Sequence, residues 1–179
     1  TNEIYFEVNK NTRNYPASLT KIMTLYIVFD ELNKNNLQLN DKIVFSKKAT
    51  QQQPSKLNIP QVKSITVDQA IDALIIKSAN DVAIAVAEKI SGSEKAFVKK
   101  MNLIAKEIDL KNTNFANPHG LPNKSNLSSA NDIFILSPND THLKYIKLLH
   151  TNRFIFCEKP PVNKLKDLKE LKKIKSNNI

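Results

Sequence analysis

Cysteine and metal-binding motifs are nearly absent from this chain of 179 residues. Cys157 is the only cysteine, so the chain can form no intrachain disulfide and offers no cysteine cluster to a metal ion. The three histidines, at positions 119, 142 and 150, lack the HExxH spacing of zinc enzymes or a comparable one. No stretch of about 18 apolar residues occurs, so we expect no transmembrane span. The sequence therefore predicts no metal site.

Acidic residues are too few to balance the basic ones, since 17 Asp and Glu stand against 27 Lys and Arg, giving a net charge of +10. A nucleic-acid platform interleaves basic residues with aromatic side chains that stack on bases. Here the lysines are spread over the whole chain and have no such aromatic partners. We expect no nucleic-acid partner, and the charge favours weak peripheral association with anionic lipid or cell-wall surfaces. A basic interaction domain remains a distant alternative, with steeply salt-dependent binding.

The hydrophobic pattern predicts several helices and a few short strands, which is an α+β composition. A segment from Ser18 to Leu32 is apolar nearly all round, so its helix is expected to be buried. Thr66 and Gln69 have the spacing of a capping box. Further helices are expected at 66–76, 80–90, 93–108 and from Ser128 or Ser129 to Leu136, and strands at 4–8, 43–45 and 63–65.

The C-terminal part differs from the rest in composition. Residues 158–161 are charged and proline-rich, and residues 163–175 form a Lys/Leu segment whose apolar residues recur at every third position. That spacing drifts around a helix and gives only a weak apolar face. We therefore place the domain at 1–156 and interpret 157–179 as an unrelated basic tail.

The first candidate for chemistry is the Ser18-Leu19-Thr20-Lys21 segment. On a helix, Ser18 and Lys21 lie on the same face. A serine hydroxyl needs a base to become a good nucleophile. A lysine becomes that base when burial lowers its pKa, because desolvation disfavours the ammonium form. The alternative is an N-capping serine beside a solvated lysine, but Lys21 falls in an apolar helix, where a lysine is costly without a partner.

The second candidate is Ser78-Ala79-Asn80, which the pattern places on a turn between two apolar helices. A hydroxyl and an amide at such a turn can bind Lys21 and orient a substrate. The alternative is that Asn80 or Asp81 only starts the next helix, since both residue types are good caps. The order Ser-x-x-Lys then Ser-x-Asn matches two of the three motifs of penicillin-recognising enzymes, the third being Lys-Thr-Gly.

Longer segments around both motifs resemble the serine-type D-alanyl-D-alanine carboxypeptidases, the low-molecular-mass penicillin-binding proteins. The segments, in chain order, are PASLTKIMT, LIIKSANDVAIAVAE, SGSEKAFVKKMN, NTNFANPHGLP and LSSANDIFILS. The resemblance covers about residues 1–156. It implies a partial β-lactamase/transpeptidase-like fold, in which a helical cluster carrying both motifs packs on an incomplete antiparallel sheet.

The resemblance also implies a role for each candidate residue. Ser18 would attack the carbonyl between the two terminal D-alanines of a peptidoglycan stem peptide, and Lys21 would take its proton. Ser78 would relay a proton to the leaving D-alanine, and Asn80 would contact Lys21 and the substrate amide. His119, in the NPHG loop, would bind substrate or else only fix the turn. No cofactor is implied, β-lactams would acylate Ser18, and the enzyme would act in the periplasm at the outer face of the inner membrane.

The third motif of this family is missing. The chain has two glycines, Gly92 and Gly120, and neither follows Lys-Thr. We interpret the chain as C-terminally truncated, as a frameshift or an early stop would leave it, and we expect impaired activity. One alternative is a non-catalytic remnant that binds peptidoglycan or β-lactam without turnover. A β-lactamase is another, but it would need a glutamate-activated water, and the carboxypeptidase-like flanks disfavour it.

Overall fold

The computed structural model describes residues 9–130 and residue 132. Five α-helices and two β-strands are defined within this part. A short 3-10 turn, Ala17–Leu19, leads directly into the first helix. The elements are α1 (Thr20–Asn33), β1 (Lys42–Val44), α2 (Lys47–Thr50), β2 (Ser64–Thr66), α3 (Val67–Ile76), α4 (Asn80–Ser91) and α5 (Glu94–Glu107).

The other four helices all pack against α4. Residues 80–87 of α4 are all buried, so this helix has protein on every side. Between α1, α4, α5 and the segment that follows α5 lies one apolar cluster: Met23, Ile27, Ala87, Phe97, Met101, Ile104, Ala105, Leu110 and Phe115. Each large side chain buried in such a cluster contributes about 1.5–3 kcal/mol. The predicted buried helix after Ser18 is thus present, with the first turn tightened to 3-10 geometry.

The two strands pair antiparallel, with Ile43 opposite Ile65. Both isoleucines are buried, while Val44 faces outward, as the period of two in a strand requires. A helical cluster on a small antiparallel sheet is the α+β arrangement predicted from the sequence. Among the described residues, no helix combines the length and the apolar character that a membrane crossing needs.

The helix ends follow local capping chemistry. Thr66 and Gln69 form the predicted capping box at the start of α3, and the Ser93 hydroxyl caps α5 by accepting the N–H of Ala96. Ser46 caps the four-residue helix α2, which the sequence pattern did not predict because one turn is too short to show a period. Ser129 accepts the N–H of Asp132, as a capping residue does. The predicted strand at 4–8, the end of the helix near Leu136 and the tail lie outside the described residues.

Candidate active site

Ser18 lies at the opening of a wide cleft, in the 3-10 turn that precedes α1. Its side chain is exposed. The residue before it, Ala17, has a φ of 48°, in the left-handed region that costs a residue with a side chain about 1–3 kcal/mol. The first backbone N–H groups of a helical segment have no partner inside it, so this turn directs donors toward whatever binds next to Ser18. The sequence thus presents a hydroxyl and backbone donors at the same point.

Lys21 lies one turn further along α1 and is only 3% exposed. Its Nζ donates a hydrogen bond of 2.6 Å to the backbone carbonyl oxygen of His119. Burial disfavours the charged ammonium and lowers the pKa of Lys21 to about 8. Roughly a tenth of the amine is therefore neutral at pH 7, against a few parts in ten thousand for a solvated lysine. A buried, partly neutral amine is the kind of group that can accept a proton.

The loop Asn117–Gly120 is fastened to α1 by its backbone. Besides the carbonyl that binds Lys21, the carbonyl oxygen of Pro118 accepts the Thr24 hydroxyl at 2.7 Å. Within the loop, the N–H of Gly120 donates to the Asn117 side chain at 2.6 Å. Two consecutive carbonyls thus face the same helix, and they fix where the Lys21 amine sits.

Only glycine fits at position 120, for two independent reasons. Its φ is +85°, and a Cβ built there would lie 1.7 Å from the carbonyl oxygen of Ala17. The loop backbone therefore rests directly against the residue that precedes Ser18. The sequence did reveal that the chain has only two glycines, but it could not reveal which backbone Gly120 contacts.

The Ser78-Ala79-Asn80 turn supplies another part of the cleft lining, through Ser78 and Asn80, and we call this turn the opposite wall. It connects α3 to α4 as predicted, and Ser78 has a φ of 54°. Asn80 is 4% exposed, its amide nitrogen donates to the carbonyl of Gln53 at 3.0 Å, and its backbone N–H donates to Ser55 at 2.7 Å. Asn80 thus binds the loop that contains Gln53 and Ser55, whereas the Lys21 amine binds the carbonyl of His119. These are the hydrogen bonds found for the two side chains among residues 9–130. The expected Asn80–Lys21 contact is not among them.

Asp81, the residue after the motif, anchors the same loop. Its carboxylate is fully buried and accepts the backbone N–H groups of Leu57 at 3.0 Å, Asn58 at 3.0 Å and Val82 at 2.9 Å. The sequence suggested only that Asp81 might start a helix. Its role in fastening residues 57 and 58 depends on a contact across 24 positions, which no local pattern reveals.

His119 fixes the turn, which is one of the two roles that the sequence left open, and its contact with substrate stays a prediction. Its Nδ1 accepts the N–H of Leu121 at 3.0 Å, so the ring does fix the turn. The residue also lines the cleft. Burial, with smaller contributions from the cations Lys21 and Lys48, lowers the pKa of His119 to about 4, so the imidazole is neutral at pH 7.

The cleft brings four of the five predicted residues together. Its volume is about 970 Å³, and the fifth residue, Lys21, is buried and does not line it, but binds the carbonyl of the lining residue His119. In the part of the chain that the structure describes, no group of three or more His, Cys, Asp or Glu side chains is arranged to bind a metal ion. The lining residues are Tyr15, Ala17, Ser18, Pro54, Ser55, Ser78, Asn80, His119, Gly120, Leu121, Pro122, Asn123 and Lys124.

Comparison with known sequences gives one consistent result. The sequence profile of the peptidase S11 family, described as D-alanyl-D-alanine carboxypeptidase, matches residues 1–178. The chain is 41% identical over 137 residues to D-alanyl-D-alanine carboxypeptidase DacF of Bacillus subtilis, covering 76% of this chain and 35% of that protein. It is 36% identical over 132 residues to DacA of Haemophilus influenzae, covering 72% and 34%. The chain thus spans about a third of the length of these relatives.

Comparison with solved structures agrees. The D-alanyl-D-alanine carboxypeptidase DacD from Francisella tularensis superposes with a TM-score of 0.75 at 38% identity, over 79% of this chain and 34% of that one. Penicillin-binding protein 5 from Haemophilus influenzae gives 0.76 at 32% identity, over 86% and 46%. The fold of the chain therefore corresponds to part of the fold of these proteins, as the sequence predicted.

Proposed function

Because this chain belongs to the D-alanyl-D-alanine carboxypeptidase family, we propose that it carries the nucleophile half of a site that hydrolyses the terminal D-alanine from peptidoglycan stem peptides. The substrate class comes from the family, and the chain covers only part of its relatives. The proposal for these 179 residues therefore depends on the chemistry of the described cleft. One observation carries it: a buried lysine with a lowered pKa lies one helical turn from an exposed serine.

The hydrogen bond from Lys21 to a carbonyl suits a general base. A carbonyl oxygen can only accept a hydrogen bond, so the Lys21 amine must donate one of its N–H groups to it. The lone pair of the amine nitrogen is not used in this contact. In the neutral amine this contact orients the nitrogen and leaves the lone pair for another proton. Lys21 then accepts the proton of Ser18 as the Ser18 oxygen attacks the carbonyl carbon between the two D-alanines.

The remaining roles belong to groups around the same cleft. The backbone N–H of Ser18 is one donor to the oxyanion that forms on attack. Ser78, on the opposite wall, passes the proton to the leaving D-alanine nitrogen. Asn80 and His119 contact the substrate backbone. Water then cleaves the acyl-enzyme and restores Ser18, and β-lactams acylate the same hydroxyl. The substrate places this chemistry in the periplasm, at the outer face of the inner membrane.

The sequence contains no Lys-Thr-Gly, so these 179 residues lack the cationic motif that, in this family, lies on the strand supplying a second oxyanion donor. Removal of one oxyanion donor typically lowers the rate about 10²–10³-fold. We propose that the chain on its own has strongly impaired carboxypeptidase activity. A non-catalytic chain that only binds peptidoglycan or β-lactam is the second candidate, favoured by the same missing tripeptide.

Covalent labelling separates these two functions. The purified chain is incubated with a fluorescent penicillin, and labelling at Ser18 is measured by gel fluorescence and peptide mass spectrometry. Impaired catalysis predicts slow labelling that the Ser18→Ala variant abolishes, whereas a binding-only chain shows none. Fast stoichiometric labelling would contradict the impairment, and labelling that persists in Ser18→Ala would remove Ser18 from its role. Rapid turnover of nitrocefin would indicate a β-lactamase instead.

A further inference from the structure

The loop 120–126 is attached at both ends to the residues that flank Ser18. At one end, Gly120 rests against the carbonyl of Ala17. At the other, the Asn126 side chain donates to the Thr20 hydroxyl at 3.0 Å, in a buried contact. Because Ala17 and Thr20 stand on either side of Ser18 in the sequence, the loop has a fixed position relative to the nucleophile.

The middle of this loop is also ordered by its own hydrogen bonds. Asn123 accepts the N–H of Ser125 with its side chain and the N–H of Asn126 with its carbonyl, both at 2.9 Å. The carbonyl of Ser125 accepts the Asn114 amide at 2.6 Å. Lys124 lies inside this turn, so its backbone is held from both sides. Lys124 is four positions after Gly120, so the two Cα atoms are at most about 14 Å apart.

Lys124 is the one charged side chain among the described residues that line the cleft. It is exposed, and no carboxylate of residues 9–130 lines the cleft with it. The His119 imidazole is neutral at pH 7 because its pKa is lowered to about 4. Among the described lining residues, a peptide in this cleft therefore meets one solvated cation, on a loop that contacts the residues flanking Ser18, and no carboxylate.

We propose that Lys124 is a specificity-determining residue whose ammonium binds a carboxylate of the peptide substrate. The inference rests on the proposed function, because it assumes that the cleft binds a peptide ending in D-Ala-D-Ala. Such a peptide can offer Lys124 two carboxylates: its C-terminus, and a side-chain carboxylate on the residue before the two D-alanines. Lys124 selects the peptide that carries the free carboxylate over the same peptide with a carboxamide.

The expected effect is modest, because Lys124 remains in contact with solvent. Exposed ion pairs change binding about two- to fivefold. Salt screens such pairs, so the preference falls as ionic strength rises toward 1 M, where the Debye length is about 3 Å. Arginine keeps the charge at this position, so Lys124→Arg retains the preference that Lys124→Gln loses.

The test measures equilibrium binding of four peptides to the full 179-residue chain carrying Ser18→Ala, which prevents acylation. The peptides are N-acetyl-Glu-D-Ala-D-Ala and N-acetyl-Gln-D-Ala-D-Ala, each with a free or an amidated C-terminus, and the readout is an NMR titration. Lys124→Gln is compared with Lys95→Gln. Lys95 is an exposed lysine on α5 outside the cleft, so both variants change the net charge equally.

We expect Lys124→Gln to weaken binding two- to fivefold for the carboxylate form of one pair of peptides and not for its amide. If the affinity difference between the free and the amidated C-terminus disappears, Lys124 binds the C-terminal carboxylate. If the difference between the Glu and the Gln peptide disappears, Lys124 binds the side-chain carboxylate. Equal effects of Lys124→Gln and Lys95→Gln, with the peptides still bound, would overturn the role of Lys124 and leave the proposed function intact. Failure of all four peptides to bind the chain would overturn both.

Discussion

Each wall of the cleft is supported by one buried ionisable residue, Lys21 on α1 and Asp81 at the start of α4. The two residues differ in how many hydrogen-bond partners surround them. On the nucleophile wall, Lys21 is buried with one hydrogen bond to a carbonyl, and its pKa falls to about 8. On the opposite wall, Asp81 is buried with backbone N–H donors from three residues around its carboxylate. The Lys21 amine thus has one hydrogen-bond partner, whereas the Asp81 carboxylate has donors from three residues.

This difference separates reactivity from rigidity. A buried ammonium with a single acceptor is destabilised relative to its neutral form, which makes it a base at the expense of the folded state. A buried carboxylate that accepts several N–H groups is stabilised where it is, and it fastens the loop that binds Asn80. The nucleophile wall therefore contains a reactive base, whereas the opposite wall is held rigid by hydrogen bonds.

The most severe way to break the nucleophile wall is Gly120→Ala. The new Cβ would overlap the Ala17 carbonyl, and the φ of +85° adds strain, so we expect the free energy of unfolding to fall by more than about 4 kcal/mol. Gly92→Ala is the matched control, since its φ is +74° but nothing lies within 4 Å, and it should cost about 1–2 kcal/mol. Urea unfolding measures both. Equal losses would show that Gly120 does not rest on Ala17.

On the opposite wall, Asp81→Ala should lower the free energy of unfolding by about 3 kcal/mol, because the backbone N–H groups of Leu57, Asn58 and the buried Val82 lose their acceptor. Hydrogen exchange at Leu57 and Asn58 should accelerate before global unfolding. The control is Asp30→Ala, which removes an exposed i,i+4 ion pair with Lys34 and should cost about 0.5 kcal/mol or less. Unchanged exchange in Asp81→Ala would contradict the anchoring of the loop.

The smallest effect has the opposite sign. Lys21→Met should raise the free energy of unfolding at pH 7 by roughly 1–2 kcal/mol, because the cost of burying a cation exceeds the hydrogen bond that is lost. The folded-state pKa lies below the unfolded one, so the unfolded state binds more protons between about pH 8 and 10.5. Stability of the parent chain therefore rises across that window, and the variant lacks this rise.

The control for this prediction is Lys106→Met, an exposed lysine near the end of α5. It should change stability by less than about 0.5 kcal/mol and should keep the rise above pH 8. Any penicillin labelling of Ser18 should disappear in Lys21→Met and persist in Lys106→Met. A destabilised Lys21→Met variant would mean that the amine is better satisfied than its single hydrogen bond indicates.

Much of the described fold follows from the sequence, because helical periodicity and capping act locally. The Thr66–Gln69 box, the Ser93 cap and the two short strands were all predicted, within one or two residues of their observed ends. Helix α2 was missed because a single turn has no measurable period. The boundary at residue 156 and the tail stay predictions, since they lie outside the described residues.

The site was predictable in its residues but less so in its contacts. Burial of Lys21 followed from its apolar helix, and the Ser78-Ala79-Asn80 turn was expected to face the same site. The structure places Ser18, Ser78 and Asn80 around one cleft. The catalytic roles of Ser18, Lys21 and Ser78 remain predictions. The carbonyl that binds Lys21 and the loop that Asp81 fastens come from distant parts of the chain. Such tertiary contacts leave no local sequence signal.

The bond between Lys21 and His119 joins two residues 98 positions apart, and this separation determines when the amine becomes reactive. Until residues 117–120 fold against α1, the carbonyl that binds this lysine is not in place, and the amine is solvated and fully protonated at neutral pH. Closing a contact across so long a segment costs conformational entropy, which slows its formation. Lys21 therefore becomes a base only when these two distant segments have come together.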